Sequence, residues 1–268
     1  MRAFERQPGT PPALLGVVHL PALPGAPLAT LSLDQVLQCA VRDAKALMAG
    51  GAAGLIVENL GDRPYAAETV EPSTTALMTR VAVALRDIIG DGLLGINILR
   101  NDPISALSVA AASDANFIRV NVHTGAMVTD QGVITGRARE TVALRRRLGV
   151  SVRIAADVAV KHASPLGALD LVQVSRDTAL RACADAVLVT GSGTGQPISL
   201  DRLTTVREAI PSHPVWAASG VTPTTLPHLA PHLDAMVVGT YLHQDSDLAQ
   251  PVDQQRVREM AEASRRLR

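Results

Sequence analysis

Eight short apolar runs recur along the chain, and segments with helical periodicity lie between them. The runs read LLGVVHL (from Leu14), GLIVENL (from Gly54), LLGINIL (from Leu93), FIRVNVH (from Phe117), SVRIAADVAV (from Ser151), AVLVTG (from Ala186), PVWAASG (from Pro214) and AMVVGTYL (from Ala235). Among the helical segments, LSLDQVLQCAVRDAKALMAGG starts beside a Ser/Asp cap and ends in glycines. TTALMTRVAVALRDIIG is amphipathic and closes on Gly90, and the last helix, from PVDQQRVREM, runs into a basic C-terminus. Links from helix to next strand are short, such as Gly90-Asp91-Gly92, Gly149-Val150, Ala184-Asp185 and Pro211 to His213. Links from strand to helix are longer and hold most of the Pro, Gly and polar residues, as in PALPGAPLAT, GDRPYAAETVEPS and TGAMVTDQGVITGR.

Short loops at one end and elaborated loops at the other predict an α/β chain folded as a (β/α)8 TIM barrel of the phosphate-binding type. Its site would lie at the C-terminal ends of the strands. An open doubly wound sheet is the competing architecture; the count of eight strands and the absence of GxGxxG after the first weigh against it. Without a linker or a composition break, residues 1–13 read as an N-terminal extension and 14–268 as one barrel domain.

Within this frame, Asn116 to His162 is the informative stretch. Side chains alternate along a strand, so Arg119, Asn121 and His123 share one face and Ile118, Val120 and Val122 the other. In the next strand Asp157 and Lys161 share a face, opposite Val158 and Val160. Buried charge is costly unless paired, so two successive strands with a charged inner face predict a lined cavity. The intervening TGAMVTDQGVITG reads as a polar loop, and Trp216 as packing on the helix side.

Composition narrows the partners. Lys+Arg and Asp+Glu number 25 each, which leaves no net field for nucleic acid or an anionic membrane. One Trp, two Tyr and two Phe are too few for base-stacking platforms. Cys39 and Cys183 both fall in segments read as helices, as buried small hydrophobes in a reduced compartment. MRAFERQPGTPPALLG lacks the apolar run of a secretory signal, and no apolar stretch is long enough to span a bilayer, so the expected location is cytoplasmic.

Polar residues stand at the C-terminal end of nearly every strand: His19; Glu58 and Asn59; Asn97, then Arg100, Asn101 and Asp102; Arg119, Asn121 and His123; Asp157, Lys161 and His162; Thr190; Ser219; Thr240. A lone His19 after a strand is commonly a hydrogen-bonded structural residue, and Arg119 could instead pair with Glu58 or Asp157 inside the barrel. The convergence carries the weight. Glu58 and Asp157 are the leading general acid/base candidates. Lys161 could form a Schiff base, but an electrostatic role on a phosphate or enolate is the preferred reading.

Three glycine-rich turns suggest an anion site: Gly191, Ser192, Gly193, Thr194 and Gly195; Ser219, Gly220 and Val221, with Thr222-Pro223 opening a helix; and Gly239 with Thr240. Glycine in tight turns is the plainer explanation for any one of them. No Lys follows the last glycine, so a nucleotide-hydrolysing P-loop is rejected. No cofactor is indicated, and zinc motifs such as HxH, HExxH or paired CxxC are missing; Glu58, Asp157 and Asp102 are the carboxylates to which a hard divalent ion would go. Arg145, Arg146 and Arg147 and the SRRLR terminus read as solvated faces, and His228 and His232 lie remote from the site.

Taken together, VVHLPALPG, GLIVENLGDRPY, GINILRND, FIRVNVHTGAMVTDQGVITG, ADVAVKHASPL, VTGSGTG and SGVTP resemble the BtpA family, also called BtpA/SgcQ, over nearly the whole chain. The segments around Glu58-Asn59, Arg119 to Gly132 and Lys161-His162 are specific to it; the glycine turns are shared by many phosphate-binding barrels. The resemblance implies a fold and a shared cavity. The family name comes from a cyanobacterial protein implicated in photosystem I biogenesis, and other members look like enzymes associated with sugar metabolism. Against that pattern, Ala159 stands where a larger residue is expected, and Gln244-Asp245-Ser246-Asp247 lacks an expected glycine.

The leading expectation is an isomerase, epimerase or lyase acting on a small phosphorylated metabolite. The glycine turns would hold the phosphate, Glu58 or Asp157 would move a proton, and Lys161 and Arg119 would stabilise an oxyanion, with Asn121, His19 and His162 completing the site. The alternative is a non-enzymatic assembly factor for membrane complexes such as photosystem I, which predicts an exposed apolar patch. A nucleotide-binding regulator lacks a stacking residue. Assembly into a homo-oligomer is compatible with each.

Overall fold

The structure is a computed structural model that describes residues 4–158, 160–191, 193 and 197–267. Eight parallel strands close into a barrel in the order β1-β11-β10-β9-β7-β4-β3-β2. They are β1 (Ala13–His19), β2 (Gly54–Glu58), β3 (Leu93–Asn97), β4 (Phe117–Val120), β7 (Arg153–Val158), β9 (Ala186–Val189), β10 (Val215–Ala217) and β11 (Ala235–Val238). The helices α1 (Leu33–Gly50), α2 (Pro72–Ile89), α3 (Pro103–Ala112), α4 (Ala138–Leu148), α5 (Leu171–Arg176), α6 (Leu200–Ala209), α7 (Leu226–Leu229) and α8 (Gln254–Arg265) lie between and after them. Local signals set the ends: Ser32 and Gln35 form a capping box on α1, and left-handed Gly51 stops it.

Strand alternation divides the apolar residues into two cores. Val18, Val57, Ile96, Ile118, Val120, Val187 and Met236 face the helix layer. Leu15, Val17, Ile56, Phe117, Leu188 and Val237 fill the barrel. Trp216 belongs to this inner set, correcting the expected helix-side placement. It packs edge-on against Phe117 and Phe4, with ring centroids 5.3 and 4.7 Å away. Gly95 makes room for this cluster, because a Cβ there would lie 2.3 Å from the Phe117 ring.

Phe4 shows that the N-terminal segment is part of the barrel's packing. Its ring is buried, the Trp216 indole Nε1 donates to its carbonyl at 3.1 Å, and the Arg153 guanidinium lies 4.5 Å from its centroid. The segment therefore plugs the end of the barrel opposite the polar strand ends.

Other expectations also change. TGAMVTDQGVITG is a hairpin, with β5 (Ala126–Thr129) antiparallel to β6 (Gly132–Thr135) and β8 (Ser164–Pro165) added on the other side of β5. Met127 and Ile134 face each other across it and pack on Val122 and Val160, which anchors the hairpin. Neither cysteine is a buried helical residue as expected: Cys39 is half-buried on α1, and Cys183 is exposed in a turn, and both are free thiols. Thr222-Pro223 forms a turn, and α7 begins only at Leu226. Among the described residues no helix is long and apolar enough to cross a membrane.

Candidate functional site

Above the inner apolar layer, the last inward-facing residue of several strands is polar. His19, Glu58 and Asn97 sit side by side in one row, because β1 to β3 pair in that register. Asn97 Nδ2 donates to Glu58 Oε2 at 2.7 Å and so fixes the carboxylate. Arg119 and Asp157 continue the layer on β4 and β7.

Arg119 and Asp157 form a two-pronged ion pair, Nε to Oδ1 at 3.1 Å and Nη2 to Oδ2 at 2.9 Å, with both side chains almost wholly buried. Asn121 Nδ2 adds a third donor to Oδ2 at 3.1 Å. Asp157 is thus occupied on both oxygens, and the arrangement makes it the residue that positions Arg119. Glu58 is the carboxylate that lines the cavities at this end of the barrel. Arg119 is the ion-pair partner that one reading of the sequence foresaw, yet it still lines the cavity. Because Asp157 only accepts, Asn121 must turn Nδ2 toward it, and its buried Oδ1 has no donor among the described residues.

A pair of rings meets at His19. His243 Nδ1 lies 2.6 Å from the Gln250 carbonyl, which can only accept, so Nδ1 carries a proton. When that is the ring's one proton, its Nε2 accepts from His19 Nδ1 at 3.2 Å, and His19 Nε2 keeps its lone pair. Burial lowers the His19 pKa to about 4 against the attraction of Glu58, with Lys161, Arg119 and a charged His243 adding to the lowering, so the ring is neutral at pH 7. Gly239 lets this ring sit where it does, since a Cβ there would come 2.8 Å from Cε1.

Burial works to raise the Glu58 carboxyl, but the charges around it win and hold it below its usual value. His19 when charged, Arg119, Lys161 and the Asn97 donor all contribute, and the carboxyl is ionised at pH 7. Glu58 is an ionised base there. Lys161 follows β7, and its pKa is lowered, first by burial and then by Arg119. His162, with φ of +56°, is exposed at the rim, its pKa lowered by burial and by Lys161.

Two cavities meet at this cluster. The smaller, about 150 Å³, runs from His19, Glu58, Arg119 and Lys161 to the turns after β10 and β11. That is roughly ten times the ~10–15 Å³ that seats one water. The larger, about 1050 Å³, shares those four residues and extends beneath the hairpin tip at Asp130 toward Arg100 and His162. Ser219, Gly220, Val221, Gly239 and Thr240 line the smaller cavity. Ser219 Oγ accepts from the Gly191 amide at 2.5 Å and ties the turns after β9 and β10 together. Among the described residues the Gly220 and Val221 amides have no protein acceptor, and Val221 is buried. Gly193 is partly exposed; Ser192, Thr194, Gly195 and Ala159 lie outside the described residues.

Several polar strand-end residues serve the scaffold. Asn59 bonds Asp62 and the Leu99 amide, Asn101 bonds both backbone groups of Val122, and Asp102 caps α3 and takes the Val70 amide. His123 does not join the inner face. β4 ends at Val120, and the His123 ring reaches the Ala182 carbonyl at 3.0 Å instead. Among the described residues no three His, Cys, Asp or Glu side chains converge as a metal site requires. His243 had no signal in the sequence, because it lies beyond the last strand in an irregular turn.

The model of the BtpA family matches residues 10–266. The chain belongs to the BtpA family. An uncharacterized protein of Thermococcus kodakarensis is 41% identical over 99% of this chain and 98% of its own. The photosystem I biogenesis protein BtpA of Synechocystis is 39% identical over 93% of this chain and 87% of its own. Among solved structures, thiamine phosphate pyrophosphorylase from Pyrococcus furiosus has the same fold at 13% identity, with a TM-score of 0.59 covering 95% of this chain and 96% of that one. The BtpA-family site thus stands on a widely used barrel, and its own residues must supply the chemistry.

Proposed function

We propose that this BtpA-family protein is an enzyme that moves a proton on a small phosphorylated metabolite, a sugar-phosphate isomerase, epimerase or lyase. One observation carries the reading: Gly220 and Val221, whose amides have no protein acceptor among the described residues, line the same 150 Å³ cavity as the ionised Glu58 carboxylate. Backbone amides without an acceptor suit an anion. A phosphate held there, with Ser219, Gly239 and Thr240 around it, brings the adjoining carbons toward Glu58. Glu58 takes the proton from the carbon next to a carbonyl, and the electron pair moves onto the carbonyl oxygen. Lys161 and Arg119 stabilise that oxyanion, and His19 Nε2 accepts from a neighbouring hydroxyl.

Isomerisation and epimerisation pass through this enolate and exchange a carbon-bound hydrogen with solvent; in retro-aldol cleavage Glu58 instead takes the proton of the β-hydroxyl, the C–C bond breaks to leave the enolate, and the product takes up a solvent hydrogen on carbon. Incubating a panel of sugar phosphates with the protein in D2O and following deuterium uptake by mass spectrometry tests the proposal. Uptake that is lost in Glu58→Gln supports it, and no uptake from any phosphate ester counts against it.

A second reading, an assembly factor for membrane complexes, is favoured by an exposed apolar patch. Val128 and Val133 face each other across the hairpin, with Leu166 diagonal to Val128 on its other side, at 42%, 52% and 63% exposure. Co-sedimentation with membranes that Val128→Asp/Val133→Asp abolishes and Glu58→Gln leaves intact would support it.

A further inference from the structure

The larger cavity holds a cation that the proton-transfer scheme does not use. Arg100 follows β3 and is 6% exposed. Its Nη2 donates to the Lys161 carbonyl at 2.8 Å. Among the described residues its guanidinium has no other acceptor and no carboxylate within ion-pair distance. A guanidinium offers five N–H donors, and burial of one without a counter-ion is costly. Asp157, Glu58 and Asp130 act on it only through space, and burial lowers its pKa first of all. The cation lines the cavity of about 1050 Å³ together with Glu58, Asn121 and Lys161.

Arg100 presents a forked donor set, which matches a carboxylate or a phosphate in two-pronged contact. A substrate ending at the phosphate pocket would leave the larger cavity and this cation unused. We propose that the substrate is bis-anionic: a phosphate on the Gly220 and Val221 amides, a hydroxylated carbon chain past Glu58 and Asn121, and a second anionic group, carboxylate or phosphate, on Arg100. This rests on the phosphate reading above and names the substrate class for that same site.

The test is calorimetric titration of the full chain with four probes: inorganic phosphate, glycerol 1-phosphate, 6-phosphogluconate and fructose 1,6-bisphosphate. At least one of the two bis-anionic probes is expected to bind tenfold or more tightly than glycerol 1-phosphate, and which one does distinguishes a carboxylate from a phosphate at Arg100. Arg100→Gln should erase that advantage while inorganic phosphate binds as before. Arg100→Lys, which keeps the charge and loses the fork, should retain part of it and covers the case in which Arg100→Gln fails to fold. Equal binding of mono- and bis-anionic probes to the parent protein overturns the inference but leaves the phosphate pocket standing. So does a uniform loss for all four probes in a folded Arg100→Lys, because Arg100 would then be acting only through the Lys161 loop. If inorganic phosphate itself does not bind, the phosphate pocket fails and this inference fails with it.

Discussion

Replacing Asp157 by Asn keeps the shape of the inner layer but removes the counter-charge of Arg119. The pair is buried, with side-chain exposures of 3% and 0%, and its two contacts are 3.1 and 2.9 Å long. Breaking such a pair on one side costs about 3–5 kcal/mol, because the surviving charge stays buried. For a chain of this size each kcal/mol lowers Tm by roughly 2–4 °C, so Asp157→Asn should melt roughly 6–20 °C lower. Glu58 also acts on Arg119, and a swing of the guanidinium toward it would bring the loss to the lower end of that range. The double variant Arg119→Met/Asp157→Leu removes both charges and should recover most of the stability while losing deuterium exchange. Equilibrium unfolding in urea measures both. A single variant within about 1 kcal/mol of the parent, or a double variant no more stable than the single one, would refute the assignment of Asp157 as the group that positions Arg119.

Three further outcomes follow from the same geometry. His19 has a folded pKa of about 4 against an ordinary 6.5, so between those values the unfolded chain binds a proton that the folded chain does not. Stability from this ring is complete above pH 6.5 and falls as pH drops toward 4, by at most about 3 kcal/mol and less because the cavity wets the ring; unfolding curves at pH 7 and 4.5 should show a smaller difference in His19→Gln, and an unchanged one contradicts the buried neutral ring. Phe4→Ala empties the ring-packed plug below Trp216 and should cost about 3–5 kcal/mol in urea unfolding, whereas a loss under about 1 kcal/mol would mean that the N-terminal segment is detached in solution. Asp245 and Ser246 are consecutive left-handed residues, with φ of 53° and 57°; Ser246 is held by an Arg256 bond at 2.8 Å, so Asp245→Gly should stabilise by up to about 1 kcal/mol in thermal melts, and a loss of stability would contradict the strain.

The barrel was legible because its signals are local. Short apolar runs, glycine stops such as Gly51 and unequal loops are each written within a few residues. Glu58 and Lys161 were legible for a related reason: a charge directly after an apolar strand has to meet something at its end. What failed depended on partners distant in sequence or on knowing where a strand stops. Strand β10 is three residues long and apolar on both faces, so nothing in Val215-Trp216-Ala217 tells the inner side from the outer. Alternation placed His123 inward, but β4 had already ended. The hairpin hid in a stretch of Thr, Gly, Asp and Gln, although Met127 and Val128 mirror Ile134 and Val133 about its turn. Gln244 to Asp247, where a glycine was expected, does adopt the left-handed backbone that glycine tolerates, using Asp and Ser instead. Which of Glu58 and Asp157 stays out of the ion pair, and that Arg100 has no counter-ion among the described residues, are matters of distance across the barrel and have no trace in the chain.

The most direct test of the whole is a crystal structure of the protein with glycerol 1-phosphate bound. The expected result is the phosphate on the Gly220 and Val221 amides, with a glycerol carbon within ~4 Å of the Glu58 carboxylate. A phosphate bound elsewhere, or bound there with its carbons turned away from Glu58, would contradict it.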